Sequence, residues 1–174
     1  SRERIADELV KILALDDPGD TLALMIEAGI LRPVLPEIGS AAALRALIAA
    51  ERAAGLAADP LRRLAALLPP DPGLATAVGA RLKLSNKARK RLVLAAERDV
   101  APGGPALAYW LGRDAALDRL LLAGRAEEAA ALADWPIPRL PLGGGALIKR
   151  GVPQGPAVAR TLQAIERRWV AEGF

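Results

Sequence analysis

The stretch LPLGGGALIKRGVPQGPAVARTLQAIERRWVAEGF, residues 140–174, decides how this chain is read. Gly151 stands where a short helix ending in Lys149-Arg150 must stop, because glycine adopts the left-handed backbone at low cost. Pro156 suits the first turn of a following helix, where its missing N–H is no loss and its fixed φ helps. The run from Pro156 to Trp169 is amphipathic. Two helices are therefore predicted to meet at a tight turn, with the N-terminus of the second exposed. Such an end attracts phosphate, and Lys149, Arg150 and Arg160 flank it. The same residues also fit a helix–turn–helix whose only role is to close a helical domain.

Upstream, Trp135-Pro136-Ile137-Pro138-Arg139-Leu140-Pro141 cannot be helical, because alternating prolines hold it extended. Ahead of it lies a series of helical patterns divided by start and stop signals. Ser1 and Glu3 suit the first turn of a helix over 1–14, with Ile5, Leu9, Ile12 and Leu13 as its apolar stripe. Asp20 is the expected cap of a helix ending before Gly29, and 31–35 make a short turn of helix interrupted by Pro33 and closed by Pro36. Ser40 caps a helix that Gly55 ends. Asp59-Pro60 and Asp71-Pro72 repeat one start signal, and Ser85 opens a basic helix expected to reach Asp99. Three more patterns cover 106–111, 113–122 and 125–134. Nothing sustains period-2 alternation, so the expectation is all-α: an irregular array of about ten short helices with short connections.

Composition agrees. Hydrophobic residues make up 52% of the 174, yet aromatics only 3%, so the apolar share comes from helix-favouring Ala and Leu. The chain has neither Cys nor His. That excludes disulfides, thiolate or imidazole metal sites, and nucleophile–His catalysis. No apolar run reaches the ~18 residues of a membrane span, no signal peptide opens the chain, and a cytoplasmic location is expected. The sequence starts at Ser within a helical pattern, as expected of a piece of something longer.

Positive charge is concentrated. Arg81, Lys83, Lys87, Arg89, Lys90 and Arg91 fall within eleven residues that hold no acid; the rest of the chain carries 18 basic against 20 acidic side chains. Lys87, Lys90 and Arg91 share one helix face at i, i+3 and i+4, while Arg81 and Lys83 precede the Ser85 cap. Cations beside a helix N-terminus suit a phosphate backbone and give affinity without sequence readout. The competing reading is a solvated charged face. Asp16 and Asp17 lie in a Pro-Gly turn and read as turn formers. Tyr109 and Trp110 could stack on a base, but they, like Trp135 and Trp169, read first as core residues, since few other aromatics exist to fill an interior. The glycines at 143–145 lack the Lys-Ser/Thr of a nucleotide loop and read as a flexible turn.

With the elements in order, the chain resembles the bacterial tRNA nucleotidyltransferase and poly(A) polymerase family, the class II CCA-adding enzymes and their poly(A)-adding relatives. Ser1-Arg2-Glu3-Arg4-Ile5 with Glu8-Leu9 and Lys11-Ile12-Leu13 looks like the last neck helix. Gly29-Ile30-Leu31 and Val34-Leu35-Pro36-Glu37 fit the segment that comes after that helix in the family. Asp59-Pro60-Leu61, Arg63-Leu64-Ala65-Ala66-Leu67-Leu68 and Arg81-Leu82-Lys83-Leu84-Ser85-Asn86 match the body. Gly144, Leu147-Ile148, Gly151-Val152-Pro153-Gln154-Gly155-Pro156 and Glu166-Arg167-Arg168-Trp169 match the tail. Ala146 stands where an acid is usual and Ala159 where a glycine is common.

The resemblance implies a division into the end of a neck (1–38), a helical body (39–134) and a tail (135–174). It also implies tRNA or another RNA as partner, and the charge pattern and helix N-termini mark Arg81, Lys83, Lys87, Lys90, Arg91, Lys149, Arg150 and Arg160 as the residues expected to hold its phosphates. The family's catalytic Asp-x-Asp occurs nowhere in the chain. Nucleotide transfer, with its Mg²⁺ and its ATP and CTP, is thus expected of an N-terminal head outside these residues. The chain itself is expected to need no cofactor and to hold no metal or catalytic residue. The alternative from another class is a helical protein–protein interaction module without RNA binding.

Overall fold

The computed structural model describes residues 2–174, with side chains from residue 4 onward, so the cap expected at Ser1 and the side chain of Glu3 lie outside what is described. Eleven helices and no strand are found among the described residues: α1 (Arg2–Leu13), α2 (Gly19–Glu27), α3 (Ala42–Ala54), α4 (Pro60–Leu67), α5 (Pro72–Arg81), α6 (Asn86–Ala96), α7 (Gly104–Leu111), α8 (Arg113–Leu122), α9 (Ala126–Ala133), α10 (Gly144–Lys149) and α11 (Pro156–Ala171). The all-α expectation holds. Among the described residues no helix is long and apolar enough to cross a membrane.

Local chemistry explains most boundaries. Asp59 accepts from the backbone N–H of Leu61 and Arg62, Asp71 from that of Leu74, and Ser85 from that of Ala88. Each satisfies donors that the helix cannot. Gly151 ends α10 at φ +93°, with the N–H of Val152 returning to the Leu147 carbonyl, as the sequence predicts.

Four local expectations change. Ser40 is not the N-cap of α3, a position that Ala41 takes, although its hydroxyl accepts from the Ala42 N–H. Asp20 is not the cap of α2: the helix starts at Gly19 behind Pro18, two residues earlier than a cap at Asp20 would place it, and Asp20 accepts from Arg45 instead. The basic helix α6 stops at Ala96 rather than Asp99, because Arg98 turns left-handed at φ +58° and Arg119 donates to the carbonyls of Leu94 and Asp99. The 143–145 glycines are not a free turn. Gly144 opens α10 and packs so closely that a Cβ there would lie 2.9 Å from Val158 Cγ1 of α11.

Packing forms two apolar clusters that share a wall made of α3 and α4. Leu44 and Ile48 of α3 and Leu64 and Leu67 of α4 face the first cluster, with α1, α2, α5 and α6. Leu47, Ala50 and Ala66 face the second, with α7, α8 and α9. The helices carry apolar residues on two faces because each is covered on two sides. Helices α5 and α6 pack as a tight hairpin. Gly79 permits it, since a Cβ there would lie 2.8 Å from Arg89 Cγ. The hairpin fixes the orientation of the basic helix.

All five aromatic rings gather where α11, Trp135 and Phe174 meet α7. Tyr109 meets Trp110, Trp169 and Phe174 with ring centroids 5.0–5.7 Å apart, and Trp135 reaches Phe174 at 5.4 Å. The Tyr109 hydroxyl donates to Glu166 of α11. The expected burial holds only in part, because Trp110 is 47% exposed.

Candidate nucleic-acid interface

The interface is built on a buried ionic lattice in the shared wall. Arg62 donates from Nε to Asp118 at 2.9 Å and from Nη1 to Glu51 at 3.0 Å. Arg63 donates to Glu51 at 2.9 Å and to the carbonyls of Leu13 and Leu15 at the end of α1. Glu51, Arg62, Arg63 and Asp118 are all buried. Isolated charges there would be prohibitive, so each survives only by being paired and fully hydrogen-bonded. Adjacent arginines on α4 thus bind α1, α3 and α8 into one body.

Arg91 of α6 completes the lattice. It forks onto Asp118, Nε to Oδ2 at 2.7 Å and Nη2 to Oδ1 at 2.8 Å, and also donates to Asp59 at 2.7 Å. Burial works against the Arg91 cation, but Asp118 and Asp59 outweigh it and hold its pKa above the ordinary value. Burial likewise works to raise the Asp59 carboxyl. The Arg62 backbone N–H and the Arg91 guanidinium prevail and keep it below its ordinary value.

Beside this fork, Lys87 and Lys90 are exposed and line, together with Arg91, a cleft between α6 and the start of α8, about 450 Å³ in volume. Gly112, Arg113, Asp114 and Ala115, the N-cap and first turn of α8, line the opposite wall. No side chain caps that end of the helix. Lys87 and Lys90 have no carboxylate partner among the described residues. Arg113 donates to the Trp135 carbonyl, and its buried Nε makes no hydrogen bond within the protein. The cleft therefore joins two unpaired ammonium groups, a guanidinium and an uncapped helix N-terminus, offset by Asp114 alone. Such a surface favours a polyanion.

The expected site residues divide accordingly. Lys87, Lys90 and Arg91 do share one face, but Arg91 is committed to carboxylates. Arg81 is committed too: it pairs with Glu37 at 2.8 Å and donates to the Val34 carbonyl. Lys83 is exposed in the turn between α5 and α6. Lys149, Arg150 and Arg160 are exposed on α10, its C-cap and α11, and none lines the α6–α8 cleft. Arg113 was not legible as part of this set. Nothing in its own segment marks it, and only the packing of α8 beside α6 brings it there.

Residues 1–41 match a family model described as the probable RNA and SrmB-binding site of polymerase A. A search of curated proteins finds no match to the chain. The matched segment holds four basic and eight acidic side chains; the remainder holds twenty and twelve. The positive charge thus lies outside the match, but not far in space, since Ala88 and Arg91 of α6 line a second cleft with Ala6, Leu9 and Val10 of α1. Over residues 1–41, the chain is thus similar to a region described as RNA-binding in polymerase A.

Proposed function

We propose that this chain is the RNA-binding helical region of a tRNA CCA-adding nucleotidyltransferase or a poly(A) polymerase, and that it transfers no nucleotides by itself. In this reading the RNA lies along α6 with its phosphates in the α6–α8 cleft. The tail cations Lys149, Arg150 and Arg160 form a second, weaker contact. The carrying observation is the pair Lys87 and Lys90, unpaired beside the uncapped first turn of α8. The match over residues 1–41 supports it. Catalysis, with Mg²⁺, ATP and CTP, would belong to a head outside these residues, since the chain contains no Asp-x-Asp.

Binding of labelled tRNA across a salt series tests the reading. Replacing Lys87 and Lys90 together with Ala should lower the magnitude of the log–log salt slope by about 1.5, roughly 0.7 to 0.9 for each phosphate no longer neutralised. The fold should be unaffected, because Ala favours helix. A folded double variant with the wild-type slope would make this face merely solvated. Incorporation of labelled ATP or CTP into tRNA by the purified chain would overturn the non-catalytic assignment.

One observation favours a helical protein–protein module as second reading. Ile5, Leu24 and Ile30, all in the matched segment, are 40–65% exposed, and Ile5 and Ile30 line an apolar groove with Ile12, Met25 and Val34. Replacing Ile5 and Ile30 with Ser should leave tRNA affinity unchanged under the first reading.

A further inference from the structure

We infer that the cleft between α7 and α11 takes an unpaired RNA base, stacked on Trp110. This rests on the RNA-binding reading and adds to it a site of a different kind.

Trp110 is a large aromatic that the fold leaves half exposed although its neighbour Tyr109 is drawn into the ring cluster. It stands on the wall of a cleft of about 600 Å³, together with Pro102 and, from α11, Gln163, Glu166, Arg167 and Val170. That volume is within the range of small-ligand sites. The α11 residues stand at i, i+3, i+4 and i+7, so one helix face supplies the whole opposite wall. Tyr109 links the two walls, its ring edge-on to Trp110 at 5.0 Å and its hydroxyl on Glu166.

The polar groups point to a base rather than to backbone. Glu166 uses one oxygen for Tyr109, and its remaining acceptor capacity suits a base amino group and repels phosphate. The Gln163 amide both donates and accepts, so it fits any base edge. Arg167 has no carboxylate partner among the described residues, whereas its neighbour Arg168 pairs with Glu172. It is free to meet the phosphate attached to the stacked base. Exposed aromatics flanked by arginine are the elements of single-strand binding, because every base has a stacking face.

The cleft also adjoins the basic one. Leu111, next to Trp110 at the end of α7, lines the α6–α8 cleft with Lys87 and Lys90. A strand whose phosphates run along α6 would pass the end of α7 and present a base to Trp110.

The test is fluorescence anisotropy with a short labelled oligo(A), single-stranded or paired with its complement, across a salt series. Trp110→Ala should weaken single-strand binding by roughly 5- to 100-fold and leave duplex binding unchanged. Its salt slope should stay as in wild type, since no charge is removed. Trp110→Phe should recover most of the affinity and Trp110→Leu should not. Arg167→Gln should flatten the slope by about 0.7. Thermal unfolding shows whether each variant is folded, which half-exposed Trp110 favours. A folded Trp110→Ala with wild-type affinity overturns the inference, as does a leucine variant that binds as well as phenylalanine. Unchanged RNA affinity with altered oligomeric state on size-exclusion chromatography would make the cleft a protein contact instead. If Lys87/Lys90 replacement weakens binding and Trp110 replacement does not, this site alone fails. If wild type binds no RNA, the functional reading fails with it.

Discussion

Arg91 on α6 and Asp118 on α8 form a two-bond fork, at 2.7 and 2.8 Å, across 27 residues of sequence. Asp118 also accepts from Arg62, so one buried carboxylate serves two guanidinium groups. Asp118→Asn should therefore destabilise the fold by about 3–5 kcal/mol, since it strands buried positive charge. Denaturant unfolding measures this. A loss under ~1 kcal/mol, the scale of a surface ion pair, would show that the lattice is not structural.

Asp59 sets a pH dependence. Its carboxyl is held below the ordinary value in the folded state, so its contribution is fully present above the unfolded pKa of about 3.9. It is lost as pH falls through the lower, folded value. Unfolding midpoints of wild type and Asp59→Asn should thus diverge above about pH 4 and converge in stronger acid. A constant difference down to the acid limit would contradict the assignment.

Tyr109 is the chain's single tyrosine, so its titration is unambiguous. The Glu166 hydrogen bond, with burial and the carboxylate's charge, pushes the phenol up to about 12. A raised acid pKa means that this stabilisation is complete below the unfolded value of about 10 and is lost as pH rises toward the folded one. Ultraviolet titration should find ionisation near that folded value. Glu166→Gln should bring it back toward the ordinary range.

Lys83 occupies the left-handed position, φ +52°, that ends α5, with the N–H of Leu84 bonded to the Gly79 carbonyl. Glycine is the usual residue there. Lys83→Gly should be more stable than Lys83→Ala by about 1 kcal/mol, because Ala retains the Cβ that the conformation disfavours. Equal melting temperatures would mean that the turn relaxes.

With neither His nor Cys, the chain has no side chain whose ordinary pKa lies in the mid-neutral range. RNA affinity should be nearly flat between about pH 6 and 8. A tenfold change across that interval would reveal a titrating group in the interface.

The sequence by itself determined the helices. Asp59, Asp71, Ser85 and Gly151 act on backbone groups no more than four residues away, so their effect is legible without knowing the fold. Even there, misplacements at Asp20 and at the end of α6 have distant causes, Arg45 and Arg119. The charge of the 81–91 segment was equally legible, but which of its members are available was not. Arg81 and Arg91 meet their carboxylates 44, 27 and 32 residues away, while Lys87 and Lys90 meet none. Arg62 and Arg63 read as an ordinary basic pair and prove to be buried lattice members. The physical reason is one of range. Capping and helix propensity are settled within a turn of chain, whereas the free energy of a charge depends on how much water it loses and which opposite charge replaces that water. Only tertiary packing decides both.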